Sequence, residues 1–541
     1  MSKQKESENR YNLLDEAWIP VAGKGKVGLL GIFQNPKLQS LGGNAIQKLA
    51  LFKLLLAICQ SAYTPVDEED WESLGAEGLS KKAAEYLQEN RELFWLYGKK
   101  PFLQMPSIKE KILARKKQEL AGGIKEPAAE ANAKPKQIGL GYYPDMPADN
   151  NTVLNQNQIP RIVSDAEKAL FIVTLMNFAF GGKRIEKKTE PFTPGYSGKT
   201  VSARSGPSIG NHWGYLHTFI TGDSIINTLW LNLFTKEYIE NEPRWEFKKK
   251  VAPPWEKMPK GEDCERAKQI KKSYMGCLVG MCRFVLLEGD GIYYLEGIQY
   301  PSHKQGWWEP SMCINDSEGK LLWADPDKKP WRELTSLLAF IGTEGRSKFN
   351  CSQVQFVINR IRNMKMKIGI WSGGIRVHPG SGDQSIKQDD DFVESETFVI
   401  ANQLEPGFYL MEQALTKLEK WSRYLSKIVY LYCRELKIDA KPYTKAALAS
   451  YWQFCNVKYQ ELIDSYINED KENAKKIEGF FFRCVQKCYD RCCPHDTATR
   501  RMAWAMYSPT EKNFYAKEEK EEDSNTEQTR NEKGEINYDG E

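Results

Sequence analysis

Near residue 410 the apolar residues change their period, and that change divides the chain. From 410 to 507, Leu, Tyr and Trp recur at spacings of three and four, the period of one helical face. Segments 411–431, 446–466 and 472–489 each fit a helix, and 495–506 fits a fourth. Helices of this length joined by short loops pack as a four-helix bundle. Before residue 400 no single period persists, and short apolar runs alternate with Pro/Gly turns. A chain of 541 residues exceeds what one core sustains, so separate units are expected. The fold class read from this is α+β. A large mixed α/β region with irregular loops spans 1–400, a four-helix bundle spans 401–516, and a disordered acidic tail spans 517–541.

Within the first region, residues 46–59 read as a buried helix, with Asn44 as its N-cap. Segments 18–21 and 27–32 read as two short strands. Helices are expected at 83–94, 109–120 and 166–180, and an apolar run covers 225–234. Residues 284–287 and 289–294 read as a hairpin, and 354–367 is amphipathic and basic. Segments 367–374 and 392–400 read as strands flanking a glycine loop. Trp18, Trp255, Trp307 and Trp371 lie in Pro/Gly-rich stretches, where an indole anchors irregular chain to a core. Residues 121–136 and 150–160 show no period.

The formal charge is +4. From Lys517 onward there are ten acids and four bases, a net of −6, so the rest of the chain carries +10. That suits a polyanion met through local patches rather than a blanket of charge. The first ten residues do not read as a signal peptide. Residues 49–58 are apolar, but Lys48 and Lys53 interrupt them and the run is too short for a bilayer. Twelve dispersed cysteines do not form a disulfide scaffold. A soluble, cytoplasmic protein with no membrane partner is expected.

Several motifs suggest chemistry that their context opposes. Gly23-Lys-Gly-Lys-Val-Gly28 matches a dinucleotide fingerprint, which needs a helix opening at the loop. Gly31 and Pro36 argue against one, leaving a β-turn. No phosphate-loop motif is present. Cys484, Cys488 and Cys492 share a helix face, and buried packing suits them better than a metal. Asp389, Asp390, Asp391, Glu394 and Glu396 form the densest acidic cluster, the basis for an alternative reading as a metal-dependent nuclease. Five histidines give acid–base chemistry few options.

Three segments suit nucleic acid better. Residues 195–214 combine Gly and Ser with Lys199 and Arg204, so backbone amides can approach phosphates or groove edges. Residues 373–385 present Arg376, Gln384 and Ser385 on a glycine scaffold. Leu154-Asn-Gln-Asn-Gln158 offers amides to bases or to another chain. A purely structural scaffold, with these loops touching only protein, is the other alternative.

Longer landmarks then run in order. They are Asn12-Leu-Leu-Asp-Glu-Ala-Trp-Ile-Pro-Val21, the helix near 45–62, Lys100-Pro-Phe-Leu-Gln-Met105, Val153-Leu-Asn-Gln156, Thr218-Phe-Ile-Thr-Gly222, Trp371-Ser-Gly-Gly-Ile375 and the helical end. In order and spacing the chain resembles the large subunit (CasA) of the type I-E CRISPR surveillance complex, Cascade. The resemblance implies a non-catalytic subunit without cofactor or catalytic site. Such a subunit recognises the protospacer-adjacent motif in duplex DNA, starts strand separation and helps recruit a helicase–nuclease. Its implied partners are crRNA, double-stranded target DNA, other Cascade subunits and that recruited enzyme.

Carried over residue by residue, Val153, Leu154, Asn155 and Gln156 match the loop at the crRNA 5′ region and the adjoining subunit. Gly206 and Gly210 match the segment that nears the minor groove. Gln384, with Asp383 and Ser385, matches the wedge; apart from the resemblance, the charge of the neighbouring Arg376 suits a phosphate contact. Lys268 and Lys271, with Lys272, match a DNA-contacting lysine. Some relatives carry a cysteine-rich zinc loop after the segment matching 284–287. This chain has Leu-Glu-Gly-Asp-Gly there, so no zinc is expected. His378-Pro-Gly-Ser-Gly382 lengthens the wedge loop relative to the family.

Overall fold

The computed structural model describes residues 9–138, 163–180, 207–210, 213–315, 318–341, 349–379, 384–385, 391–512 and 514. Two compact units emerge, Met1–Asn402 and Gln403–Glu541. The segment 150–160, most of the glycine-rich 195–214 and the acidic tail lie outside the described residues.

The first unit is built around the helix Ala45–Ala62. Asn44 accepts from the Gln47 amide and Gln47 reaches back to the cap, a reciprocal capping box. The helix is apolar on every side, as a helix enclosed by other elements must be. By length and composition it could cross a membrane, yet 83% of it is buried inside this fold. Phe52 stacks on Phe219 at 4.0 Å, which sets the helix against a three-stranded antiparallel sheet.

That sheet has the order Phe392–Ile400, Lys367–Ile375, His217–Thr221. The expected strands at 367–374 and 392–400 are therefore direct partners, with Gly373 opposite Glu394 and Trp371 opposite Glu396. The central strand is buried from Ile368 to Ile375 because elements cover both its faces. A second sheet holds the expected hairpin, Arg283–Glu288 with Gly291–Glu296, and adds the short strand Lys136–Gln137. Trp18, Trp255, Trp307 and Trp371 are all buried.

Two expectations are corrected. The strand that pairs with Ile19–Val21 is Gly25–Val27. A helix does follow the Gly23–Gly28 motif, at Leu29–Gln34, and replaces most of the strand expected at 27–32. Its apolar residues Leu29, Leu30, Ile32 and Phe33 are buried, and burial outweighs the helix penalty of Gly31. Its opening amides are taken: Leu29 and Leu30 donate to the carbonyls of Leu13 and Leu14, each at 3.0 Å. No pyrophosphate fits where those carbonyls sit. The second correction is Glu126–Ala133, a short helix inside the stretch read as non-periodic. Pro at its first turn and four alanines favour it.

The second unit contains Ala401–Glu435, Lys441–Ile467, Lys471–Cys492 and Ala498–Tyr507. These are the four helices that the spacing predicts. Trp421, Leu425, Tyr451, Leu462, Phe481, Val485 and Tyr489 fill its core. Tyr451 donates its hydroxyl to the Leu418 carbonyl at 3.1 Å, so the ring is buried without orphaning its polar end. Cys484 and Cys488 lie on the buried face, where burial pushes the thiols up to about 11 and about 12. That disfavours the thiolate a metal would need.

A buried charge cluster ties the first unit together. The Lys53 ammonium, on the central helix, donates to both carboxylate oxygens of Glu309 at 2.9 and 2.8 Å and to Ser208 Oγ at 2.7 Å. His217 Nδ1 lies 3.0 Å from Glu309, and its Nε2 donates to the Ser208 carbonyl at 2.7 Å. Burial alone would raise the Glu309 carboxyl, but Lys53 and His217 bring it down to about 2.

Removing one partner of a buried pair strands the other charge. Lys53→Met should lower the stability of this unit by about 3–5 kcal/mol, read as a shift of the denaturant midpoint. An unchanged midpoint would show that water reaches Glu309. The depressed carboxyl stabilises the fold above its ordinary range, and this contribution fades as pH falls from 4.5 toward about 2. The stability gap between wild type and Glu309→Gln should therefore shrink across that window. A gap that is constant with pH would exclude the mechanism.

Candidate nucleic-acid interface

The central strand leaves the sheet at Ile375 and continues through Arg376 and Val377 into a second, two-stranded hairpin. Its strands are His378–Pro379 and Gln384–Ser385, with His378 opposite Ser385 and Pro379 opposite Gln384. Two backbone bonds fix the base of this hairpin. Arg376 donates to the Asp391 carbonyl at 3.1 Å, and Val377 donates to the Trp213 carbonyl at 2.9 Å.

The second bond joins the two glycine-rich segments that the sequence singles out. Gly214 makes that approach possible. Its φ is +97°, and a Cβ there would stand 1.9 Å from the Ile375 carbonyl oxygen. Only glycine satisfies both conditions. The Gly214 carbonyl also accepts from Ala324 at 2.9 Å, which holds the junction from a third side.

Side chains gather at this junction. The Arg376 guanidinium lies 3.5 Å from Asp325 and 5.7 Å from the Trp213 ring. Trp213 meets the His378 ring edge-on at 5.4 Å. Cation, indole and imidazole thus sit together where the hairpin emerges. An arginine beside an aromatic plane suits phosphate and base contact. Asp325 partly neutralises that arginine in the absence of a polyanion.

The end of the first glycine-rich segment is anchored inward. Pro207 accepts from the Trp307 indole at 3.1 Å, and Ile209 accepts from the Tyr215 amide at 3.2 Å. Ser208 joins the Lys53–Glu309–His217 cluster. Gly210 is buried with φ +77°, and a Cβ would meet the Tyr215 ring at 2.5 Å. Its glycine is thus required by packing at the foot of the loop.

Other sequence-selected residues are distributed as follows. Gly206 and Asp383 lie outside the described residues, as do Val153, Leu154, Asn155 and Gln156. Gln384 and Ser385 occupy the returning strand of the hairpin. Lys268 and Lys271 lie on the helix Glu265–Lys271, with Lys268 exposed and 2.8 Å from Glu265. Trp213 and Asp325 were not picked out by sequence. An aromatic embedded in a glycine loop is the signal that marks the first. Nothing local marks the second.

The acidic cluster has other work. Asp389 and Asp390 lie outside the described residues. Asp391 accepts from the Phe392 amide at 2.7 Å. Glu394 accepts from Lys48 at 2.7 Å and from the Trp371 indole at 3.3 Å, and Glu396 accepts from the Thr221 hydroxyl. These last two carboxylates hold the sheet and its helix together. Among the described residues no group of three His, Cys, Asp or Glu has an arrangement that would hold a metal ion.

The family model for CRISPR-associated protein Cse1 matches residues 12–482. Among solved structures, Cse1 of Thermobifida fusca is similar at a TM-score of 0.64 with 16% identity, covering 94% of this chain and 97% of that one. CasA (Cse1) of Thermus thermophilus gives 0.61 with 17% identity, covering 92% and 98%. A chain of a CRISPR RNA-guided surveillance complex gives 0.61 with 12% identity, covering 92% and 98%. No curated protein matches the sequence. At these identities the solved structures establish a shared fold, and the family match spans most of the sequence: the chain belongs to the CRISPR-associated Cse1 family.

Proposed function

We propose that this chain reads the protospacer-adjacent motif of duplex target DNA with the loop that ends at Gly214, and opens the duplex with the hairpin that follows Ile375. As a Cse1-family member it is the non-catalytic large subunit of the CRISPR Cascade surveillance complex. Target identity is then delegated to pairing with crRNA, and protein need read only a short duplex motif. The observation that carries the reading is the Val377–Trp213 bond with Gly214 packed against Ile375. It brings the end of the proposed reading loop beside the proposed opening hairpin, with Arg376 at the junction.

The division of labour follows from the chemistry of each part. Minor-groove edges distinguish mainly A·T from G·C, so backbone amides around Gly206 suffice for a tolerant reader. Gly210 fixes the foot of that loop. Gln384, between Asp383 and Ser385, enters the stack, and unstacking costs a few kcal/mol per step that phosphate contacts must offset. Arg376, Lys268 and Lys271 supply such contacts. Val153, Leu154, Asn155 and Gln156 meet the crRNA and a neighbouring Cascade subunit. Residues 1–400 form the motif-recognition domain and 401–516 the bundle, with the acidic segment 517–541 beyond it. The opened duplex recruits a helicase–nuclease in the cytoplasm.

In reconstituted complex, Gln384→Ala combined with Gly206→Asp should weaken binding of motif-bearing duplex by about ten- to a hundredfold, as expected for one or two contacts at ~1–3 kcal/mol each. Assembly with crRNA and the other subunits should be unchanged. Wild-type affinity in a gel shift would refute the assignment and favour a scaffold. Arg376→Ala should weaken duplex binding and lower the salt-dependence slope by about 1. Asp325→Ala should act in the opposite direction by releasing Arg376. Two variants that move affinity the same way would exclude a phosphate contact held in check by Asp325.

A further inference from the structure

The second unit carries a feature that motif reading does not use. A groove of 1130 Å³ runs between the helices Ala401–Glu435 and Lys441–Ile467. Arg423, Lys427, Arg434, Lys437, Lys441 and Lys445 line it against one acid, Asp439. Asp439 is already engaged, because its carboxylate accepts the Lys441 backbone amide at 3.0 Å. Among the described residues none of the six basic side chains has an ion pair or a hydrogen bond. Elsewhere in the same unit exposed bases do find acids, as Lys458 with Glu461 and Arg500 with Asp496. Six uncompensated cations around one groove repel one another, and a polyanion relieves that repulsion.

The chain contains a polyanion that starts at this bundle. Phe514 packs on Trp421 at 5.1 Å, on Phe482 at 4.9 Å and edge-on to Tyr424 at 5.9 Å. Trp421 directly precedes Ser422 and Arg423, which line the groove. The 27 residues that follow Phe514 carry ten acids and four bases. Five of those acids fall within Glu518-Glu-Lys-Glu-Glu-Asp523, only four residues beyond the anchor. The segment lies past the end of the family match at residue 482.

We propose that the acidic segment 515–541 docks into this basic groove of its own bundle as a tethered polyanion. Reach is ample. A helix is about 10–12 Å across, and extended chain covers about 3.3 Å per residue, so a few residues carry the tail around the first helix to the groove. The helical groove wall from Ser422 to Glu435 is about 20 Å long, well within the remaining length. Tethering gives an effective concentration near the millimolar range, so individually weak ion pairs suffice to fill the site. Docked, the tail screens the six cations from phosphate backbones, and a more highly charged polyanion must displace it. The proposal is independent of the motif-reading loops, which belong to the other unit.

Carbodiimide coupling of the full chain, followed by peptide mass spectrometry, tests this directly. Amide links should join carboxylates of 518–541 to Lys427, Lys437, Lys441 or Lys445. They should vanish in Lys437→Glu/Lys441→Glu and at about 1 M salt, where the Debye length is ~3 Å. Links only to lysines elsewhere, or links that survive the charge reversal, overturn the proposal. A binding measurement with labelled duplex lacking any motif provides the second readout. The chain ending at Phe514 should bind it about tenfold more tightly than the full chain at low salt, in keeping with the steep salt dependence of phosphate contacts. That gain should disappear in Lys437→Gln/Lys441→Gln, which keeps long polar side chains and removes only charge. Equal binding by the full and shortened chains, lost on neutralisation, would mark the groove as a nucleic-acid surface that the tail does not occupy.

Discussion

Lys53 is a cation buried away from solvent, and the first unit is arranged to compensate it. An isolated buried ammonium is prohibitively costly, so the fold must bring it a carboxylate and further acceptors. Glu309 and Ser208 do this, and His217 completes the cluster. These residues come from the central helix, the foot of a glycine-rich loop, an edge strand and a distant irregular segment. One electrostatic requirement thereby fixes four pieces of chain relative to one another. The loop ending at Gly214 inherits its position from this cluster, and the hairpin after Ile375 inherits its own from that loop.

Much of the secondary structure is legible in the sequence because its signals are local. The Asn44 cap, the three- and four-residue spacing beyond 410 and the turn between Leu287 and Gly291 each fall within one element. The failures have a common physical cause. Leu29–Gln34 is too short to display a period and includes Gly31, yet enclosing its apolar side chains stabilises it. Lys53 reads locally as an interruption of an apolar stretch. Its meaning lies in Glu309, 256 residues away, and no window along the chain contains both.

The candidate site was legible by composition and illegible by arrangement. Glycine, serine and amide content marks both loops, because such residues let backbone approach a partner. It does not say that Val377 bonds to Trp213, or that Asp325 stands beside Arg376. Gly210 shows how composition misleads. Within a glycine-rich loop it resembles its neighbours, but Tyr215 occupies the space a side chain would take. That glycine serves the interior of the fold.

Two-stranded hairpins as short as His378–Pro379 with Gln384–Ser385 do not hold themselves in place. Their geometry must be imposed from below. Here the support is a strand buried on both faces, ending in backbone bonds to Asp391 and Trp213. The role proposed for this hairpin, entry into a base stack, needs such a support, because a yielding foot would give way before the stacked bases did. Gly214 sits at the point where the two loops must touch. Any side chain there would meet the Ile375 carbonyl and push the two segments apart, and the hairpin would lose its register with the loop that ends at Gly214.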